Sequence, residues 1–430
     1  MDKETQQIRK VIAKKEKVHL ELLSNGLEAS LVNLETFQEW FASEMTKLGM
    51  GVEQFRVSPE ELADQPACQK SLREAPSSLQ QGTNVLGHLR GEGGSGVLLF
   101  GHADKKPETF EYGKDHPHLV EENGRLYGAG IADDVSGLTA MLSALTVIRD
   151  LKLVLPGDVI VASILGKQMG IYGTYGLVTK YSPLEGAIYV HPAESGWGLR
   201  EIKMASCGLL EFIVEVEGKR PDSTDPHQTL FSSTAISAVD KAIKLYHGLL
   251  RWAKDANERY PHQELNDLAG QSVALTVGRL ISGEDKMAYE IPLHALLQGC
   301  VVFPPGVDLE VIQKEFSDAF DRLVCEDAWL SVSHAQLKWG DAIAQGIQAK
   351  EDSGFLKMAA KVLSEITGSN PEYYYGHAAS DIRYPMLQWG AQAFGVGPKA
   401  GDIGLETEWV DREEYLDTIV AIVRMLTEGF

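Results

Sequence analysis

The chain is poor in cysteine. Its four cysteines, Cys68, Cys207, Cys300 and Cys325, are scattered over 430 residues and show no paired spacing. This distribution argues against a disulfide framework and against a cysteine-based zinc site, and it is typical of a protein from the reducing cytoplasm.

Basic residues are also scarce relative to acidic ones. The chain has 40 Lys and Arg against 61 Asp and Glu, a formal net charge of -21. Such a surface repels phosphate backbones, so we expect no nucleic-acid partner. The N-terminus has no apolar signal core, and no stretch is expected to reach the length of a membrane span. We therefore expect no membrane partner and a cytoplasmic location.

Apolar runs of strand length alternate with helical patterns in the first and last parts of the chain. The runs are 97–100, 159–165, 187–190 and 391–396. Continuous apolar runs indicate strands covered on both faces. The pattern predicts an α/β fold with a mixed, mostly parallel sheet flanked by helices.

The pattern changes near Cys207. From there to about residue 340, half-exposed strands and amphipathic helices follow the order β-α-β-β-α-β. That order is typical of a small α+β domain of the split-βαβ, ferredoxin-like kind. We predict a catalytic domain in two parts, 1–206 and 341–430, interrupted by an inserted domain at 207–340.

Two polar residues follow the apolar run 97–100. His102 and Asp104 are two positions apart, so on an extended strand both side chains share a face. Sites in open α/β sheets lie at the carboxyl ends of strands. A metal-binding His commonly passes its second ring N–H to a carboxylate, a role that suits Asp104. The alternative is a structural His at a strand end, with Asp104 as a loop acid.

Two further side chains extend this set. Asp133 lies in the glycine-rich turn GAGIADDVSG, where the alternative is a cap on the helix that begins near Ser136. The turn lacks the last glycine of GxGxxG, so it is weak evidence for nucleotide binding. His191 ends the run 187–190, where a structural His is the alternative. We expect His102, Asp133 and His191 each to follow a strand of one sheet and to meet at its edge, leaving metal positions open for water and substrate.

The sequence resembles a known metallopeptidase family. The segments VLLFGHAD, GRLYGAGIADD, SDIR and ETEWVD, together with the inserted split-βαβ pattern, are similar to the family of aminoacylase, carboxypeptidase G and succinyl-diaminopimelate desuccinylase. The resemblance extends over nearly the whole chain. It implies that Asp104 orients the metal ligand His102, that Asp133 bridges two metals, and that His191 replaces a carboxylate ligand. It also implies a homodimer or larger homo-oligomer formed through the inserted domain.

Several family positions carry different residues in this chain. Lys167-Gln168 replaces a Glu-Glu pair in which one Glu is the general base and the other a ligand. Gly404, four residues before Glu408, replaces the C-terminal ligand His. One metal thus loses two of three ligands, whereas the other keeps two His and one Asp. We expect one divalent transition metal per chain, and Mn, Zn, Co and Fe all suit this ligand set.

Without the family's Glu, a different residue has to accept the proton from water. A divalent ion lowers the pKa of bound water to ~7, so a weak acceptor suffices. Glu194 and His377 are alternatives for this role, and Lys167 is a third if burial depresses its pKa.

Three more residues are predicted to contact the substrate. Arg383 suits a bidentate contact with a carboxylate, and an internal ion pair near Asp381 is the alternative. Tyr375, in the run YYYGH, either lines an aromatic pocket or packs internally. The His that family members donate across a dimer is replaced by Asp222, and His227 is close enough in sequence to substitute.

These observations favour a metal-dependent hydrolase that cleaves a C–N bond of a small carboxylate-bearing substrate. An aryl-amine deaminase similar to nitroanthranilate aminohydrolase is a specific form of this hypothesis. One alternative is a conventional dinuclear amidohydrolase or dipeptidase. Another is a catalytically inactive relative with a binding or assembly role, which the loss of the Glu base would explain.

Overall fold

The structure is a computed structural model that describes residues 3–168, 172–192, 195–222, 234–283, 290–377 and 380–429. The chain forms two compact units. The first comprises Met1–Ala205, Ala349–Tyr374 and Ser380–Phe430, and the second comprises Ser206–Gln348 and Tyr375–Ala379.

The first unit is built on an eight-stranded sheet. Its strands, in spatial order, are Gly51–Phe55, Asn84–Leu89, Gly157–Ile164, Gly94–His102, Gly186–Val190, Gln392–Val396, Glu201–Lys203 and Glu372–Tyr374. The strand Gly94–His102 pairs in parallel with both neighbours, and the outer strand Gly51–Phe55 is antiparallel. This arrangement confirms the predicted mixed, mostly parallel sheet.

Helices and a second small sheet complete the first unit. The helices are Lys3–Lys14, Glu16–Val32, Leu34–Lys47, Pro66–Glu74, Ser77–Gln80, Pro107–Asp115, Ser136–Leu151, Tyr172–Lys180, Gly354–Thr367 and Arg412–Glu428. The second sheet has the order Ala400–Gly401, Trp409–Asp411, Arg125–Tyr127 and Val120–Glu122.

The helix Ser136–Leu151 lies at the centre of the core. Together with the preceding turn it forms a stretch, Ile131–Leu151, that is long and apolar enough to cross a membrane. The expectation that no stretch reaches that length was therefore wrong. Within this stretch, 94% of its most apolar 18 residues are buried inside the protein, as is usual for a core helix that is apolar on all sides.

The second unit contains an antiparallel sheet in the order Ala274–Ser282, His294–Phe303, Gly208–Glu217 and Ala335–Ala344. Its helices are Ala238–Arg259, Gln263–Ala269 and Leu309–Cys325. Alternate residues of Gly208–Glu217 are buried, as expected for a sheet with one face against helices. The chain order β-α-β-β-α-β confirms the predicted split-βαβ fold.

A buried carboxylate joins two elements of the second unit. Asp327 accepts hydrogen bonds from the ammonium groups of Lys241 and Lys244, each at 2.8 Å. It also accepts from the backbone N–H groups of Trp329, at 3.0 Å, and Leu330, at 3.2 Å. Burial raises the pKa of Asp327, but the hydrogen bonds from the two lysines outweigh it and hold that pKa well below its usual value.

We expect Asp327→Asn to lower the free energy of unfolding of the second unit by about 2 kcal/mol at pH 7. This loss in the free energy of unfolding is smaller than the loss expected for a fully buried ion pair, because both lysines are partly exposed. The wild-type advantage is present above the unfolded carboxyl pKa of ~3.9 and is lost as the pH falls toward the lowered folded-state pKa. Urea unfolding at pH 7 and pH 3 measures the difference.

Asp318→Asn is the control, because Asp318 forms an exposed ion pair with Lys314 on the same helix. It should change the free energy of unfolding by no more than ~0.5 kcal/mol. Equal losses in the two variants, or a wider gap at pH 3 than at pH 7, would contradict the role given to Asp327.

Candidate metal centre

The structure brings His102, Asp133 and His191 together. The Nε2 atoms of His102 and His191 lie 2.8 and 3.1 Å from Asp133 Oδ1. One ligand atom from each residue lies within 4.8 Å of the other two. The side chains are buried, with exposed fractions of 1%, 8% and 3% in chain order.

Different elements supply these three side chains. His102 ends the strand Gly94–His102, and His191 follows its parallel neighbour Gly186–Val190, so both lie at one edge of the sheet. The expectation that Asp133 also follows a strand of this sheet was wrong. The preceding strand, Arg125–Tyr127, belongs to the second small sheet, and Asp133 reaches the site from the turn before the core helix.

Backbone carbonyl groups orient both imidazoles. His102 Nδ1 lies 3.1 Å from the Asp104 carbonyl oxygen, and His191 Nδ1 lies 2.9 Å from that of Pro192. A carbonyl only accepts hydrogen bonds, so Nδ1 of His102 carries the proton and its Nε2 is directed at Asp133. His191 Nε2 is directed at Asp133 as well, and its Nδ1 lies between the Pro192 carbonyl and the Lys203 ammonium, which is 3.3 Å away. The Asp104 carboxylate is farther from His102, with Oδ1 at 3.7 Å from Nδ1.

The Asp104 carboxylate instead holds the segment after the strand Gly157–Ile164. It accepts from the backbone N–H groups of Lys167, at 3.2 Å, and Gln168, at 2.8 Å. The Gln168 side chain then donates from Nε2 to Asp133 Oδ2 at 2.7 Å. Asp133 therefore meets the two imidazoles through one oxygen and an amide through the other.

The electrostatics of the cluster fit a cation. Two Nε2 atoms face one carboxylate oxygen, and their lone pairs would repel it unless a proton or a metal ion lay between them. Burial lowers the pKa of His102, but the charge of Asp133 outweighs it and raises that pKa well above its usual value. Burial raises the pKa of Asp133, but His102 and His191 outweigh it and hold it well below its usual value. The three side chains thus suit a divalent ion.

Lys203 holds His191 in place, a role that the sequence analysis missed. The residue is 1% exposed, and its Nζ donates to the carbonyl oxygens of His191, at 2.7 Å, and Pro192, at 2.8 Å. The Pro192 oxygen is also the partner of His191 Nδ1. A lysine between the apolar residues Ile202 and Met204 is the signal from which it could have been found.

Two more charged residues contact the glycine-rich turn. Lys105 Nζ donates to the Ala129 carbonyl oxygen at 2.6 Å. Glu408 accepts from the backbone N–H of Gly130, and from that of Gly404 at 3.2 Å. Burial lowers the pKa of Lys105 and raises that of Glu408, and the charge of each opposes the shift of the other.

Gly404, where the family has a ligand His, adopts a left-handed backbone conformation with φ of +75°. A Cβ atom there would lie 2.9 Å from the Lys106 ammonium nitrogen. The left-handed conformation disfavours a larger residue at this position, whereas the flexible Lys106 side chain can move aside.

The structure places the other predicted residues in several settings. Lys167 Nζ lies 4.0 Å from the buried Asp381 carboxylate, and Arg383 is 2% exposed, with its charge acting on Cys68 and Tyr384. Tyr375 and His377 are in the second unit, where their carbonyl oxygens accept from the side chain and backbone of Cys207. Glu194 and His227 lie outside the described residues.

Comparisons with known proteins agree with this architecture. The model of Peptidase family M20/M25/M40 matches residues 98–428. The N-formyl-4-amino-5-aminomethyl-2-methylpyrimidine deformylase of Bacillus subtilis (strain 168) is 24% identical over 345 residues, covering 77% of this chain and 71% of that enzyme.

Two solved structures share the fold. The dipeptidase Dug1p of Saccharomyces cerevisiae has a TM-score of 0.71 at 12% identity, covering 99% of this chain and 98% of that one. The YxeP protein of Bacillus subtilis, described as a dinuclear metal-binding peptidase, has a TM-score of 0.59 at 10% identity, covering 95% of this chain and 98% of that one.

Proposed function

The chain belongs to peptidase family M20/M25/M40, a family of metallohydrolases acting on amide and peptide C–N bonds. On that premise we propose that it hydrolyses a C–N bond of a small molecule with a single divalent metal ion. His102, Asp133 and His191 are the ligands in this proposal. The observation that carries it is the hydrogen bond between the Gln168 amide and Asp133.

That hydrogen bond distinguishes the two oxygens of Asp133. Oδ1 faces both imidazoles, whereas Oδ2 accepts from Gln168 Nε2. Gln168 is neutral where the family has a carboxylate ligand, so an ion at Oδ2 would lack that anionic partner. Gly404, with no side chain to offer, supplies no further ligand. These features support one ion per chain rather than the pair named for YxeP.

A divalent ion in this position would supply Lewis acidity, which lowers the pKa of water and polarises the bond to be cleaved. The chain's own residues set the geometry. The carbonyl groups of Asp104 and Pro192 keep both Nε2 atoms directed at the site, and Lys203 holds the segment that carries His191. Lys167 Nζ lies 4.0 Å from Asp381. Glu194, His377 and Lys167 remain the predicted alternatives for the acceptor of the water proton.

Hydrolysis of an amide on a small heteroaromatic molecule is the substrate class we favour. The deformylase relative is named for an N-formyl group on an aminopyrimidine, which is an amide C–N bond of this kind. The carboxylate on the substrate and its contact with Arg383 remain predictions. Deamination of an aryl amine is the second candidate, because Lys167 and Gln168 replace the carboxylates on which amide hydrolysis relies in the family.

Metal analysis and a substrate panel test this proposal together. We expect elemental analysis of the purified protein to find one transition metal per chain, and dialysis against a chelator to abolish turnover reversibly. The panel comprises an N-formyl aminomethylpyrimidine, a dipeptide and nitroanthranilate, with formate, free amino acid and ammonia as the respective products. Reloading with Mn, Zn, Co or Fe in turn identifies the metal that supports the highest rate.

The products and the metal content together distinguish the candidate functions. Formate release favours the amide hydrolase, and ammonia release from nitroanthranilate favours the deaminase. Two tightly held ions with dipeptide cleavage would support the conventional dinuclear enzyme instead. One bound ion with no metal-dependent turnover of any C–N substrate would support the inactive relative and overturn our proposal.

A further inference from the structure

The first unit has a cavity at the edge of its large sheet that is opposite the metal centre. The cavity has a volume of about 370 Å³, which is within the range of small-molecule sites in proteins. Its walls come from the segments that follow the helix Leu34–Lys47, the strand Asn84–Leu89 and the core helix Ser136–Leu151, together with the ends of the last two.

This cavity is remote from the proposed metal ligands. Leu89, in its wall, pairs with Val159 near the start of the strand Gly157–Ile164, whereas His102 pairs with Ile164 at the end of that strand. The extended chain from Val159 to Ile164 is roughly 17 Å long. A small ligand in the cavity therefore does not reach the metal centre.

Apolar side chains form most of the cavity wall. Eight of its thirteen residues are apolar, and Leu145, Ile148 and Leu155 among them are 2%, 4% and 6% exposed. Val154 lines the same cavity but is 58% exposed, so it lies at the mouth. A concave apolar surface of this kind gains free energy when hydrocarbon covers it.

The charged residues of the wall are mostly cationic. Arg90, Arg149 and Lys152 are three cations against the single carboxylate of Glu92. Arg149 is engaged by Asp150, whose Oδ1 lies 3.1 Å from Nη2. Within the described part of the chain, no carboxylate pairs with Arg90 or Lys152. On a protein with a net charge of -21, this local excess of positive charge complements an anion.

Lys152 is not needed to end the core helix. It follows the helix in a left-handed conformation with φ of +53°, a position that glycine most often occupies. The carbonyl oxygens of Ile148 and Arg149 accept from the backbone N–H groups of Leu153 and Lys152. The backbone thus completes the helix end without the ammonium group, which is exposed at the cavity.

We propose that this cavity binds a small carboxylate with an apolar body. The hydrocarbon part covers Leu145, Ile148 and Leu155, and the carboxylate faces Arg90 and Lys152. A neutral apolar molecule would gain nothing from the cations, and an anion without hydrocarbon would leave the apolar wall in water. No metal ion takes part, so this inference is independent of the proposed function.

Octanoate, octylammonium and acetate are the probes, and isothermal titration calorimetry of the full-length protein measures their binding. We expect octanoate to bind wild type at least ~10-fold more tightly than either of the others, because it alone has both the apolar body and the negative charge. Equal binding of octanoate and octylammonium would overturn the inference. Absence of octanoate binding below ~10 mM would also overturn it.

Lys152→Gly removes the ammonium group at a backbone conformation that glycine adopts readily, so the variant should fold. We expect it to weaken octanoate binding about 3- to 5-fold, as is usual for one exposed charge. Lys357→Gln is the control, because Lys357 is an exposed lysine of the same unit on the helix Gly354–Thr367. It should leave the affinity for octanoate unchanged.

Val154→Glu places a carboxylate at the mouth of the cavity, and Val154→Gln is its neutral match of the same size. Relative to the Gln variant, the Glu variant should bind octanoate at least ~3-fold more weakly and octylammonium more tightly. Octanoate binding that neither Lys152→Gly nor Val154→Glu alters would belong to another site, such as the metal centre, and would overturn the inference. Metal content and turnover report on the proposed function separately.

Discussion

Replacement of His191 by Ala is expected to remove the bound metal and to lower kcat/KM by at least about 10³-fold, or about 4 kcal/mol of transition-state stabilisation. His191 supplies one of three ligand atoms, and its Nε2 is directed at Asp133 Oδ1 at 3.1 Å. With the imidazole gone, one His and one Asp are too few to retain a catalytic divalent ion. Elemental analysis and steady-state kinetics on the substrate identified from the panel measure both effects.

His88→Ala is the matched control for this variant. His88 is an exposed histidine on a strand of the same sheet, where it contacts Glu53 at 2.9 Å. Its removal should leave both the metal content and kcat/KM within a factor of about two, as is usual for surface positions. Retention of the metal in the His191 variant would refute the ligand assignment. Loss of metal with unchanged kcat/KM would show that turnover does not depend on this metal and would overturn the proposed function.

Lys203→Met is expected to weaken metal binding by about 10- to 100-fold, although Lys203 is not itself a ligand. The Lys203 ammonium donates to the carbonyl oxygens of His191 and Pro192. The Pro192 carbonyl in turn contacts Nδ1 of the His191 imidazole and orients that ring. Loss of two buried charge-assisted hydrogen bonds should also lower the free energy of unfolding by about 2–4 kcal/mol. Met preserves most of the side-chain volume, so a large cavity is not created.

A positioning role for Lys203 has a distinct signature. Excess metal should restore the activity of Lys203→Met substantially, whereas it should not restore that of His191→Ala. Lys361→Met is the control, because Lys361 is an exposed lysine paired with Glu428. Unchanged metal affinity in a folded Lys203→Met protein would show that the His191 imidazole is held without Lys203.

Local sequence patterns were sufficient for the fold and for most of the metal cluster. Continuous apolar runs marked the strands Gly94–His102 and Gly186–Val190, because strands buried on both faces have no polar side. Each run is followed by a His, and parallel neighbours end at the same edge, so His102 and His191 were predicted to meet. Asp133 was predicted from the glycine-rich turn before the core helix, and the family resemblance is confirmed by the match over residues 98–428.

The same patterns did not show which sheet each strand joins. The short strand before Asp133, Arg125–Tyr127, pairs with Trp409–Asp411 in the second small sheet. Strand pairing depends on partners far away in sequence, and a three-residue run carries too little information to select one. The predicted position of Asp133 was therefore correct in space but was reached through a wrong account of the topology.

The amino-acid sequence by itself determined the buried strands of the large sheet and the two histidines that follow their apolar runs, because an apolar run and the residues after it are neighbours in the chain. Only the tertiary structure decided what surrounds them. The contacts of Gln168 with Asp133, of Gly130 with Glu408 and of Lys203 with His191 join segments separated by 35, 278 and 12 residues. Buried polar groups take whichever partner the packed chain brings within hydrogen-bonding distance, and that choice follows from long-range packing rather than from local pattern.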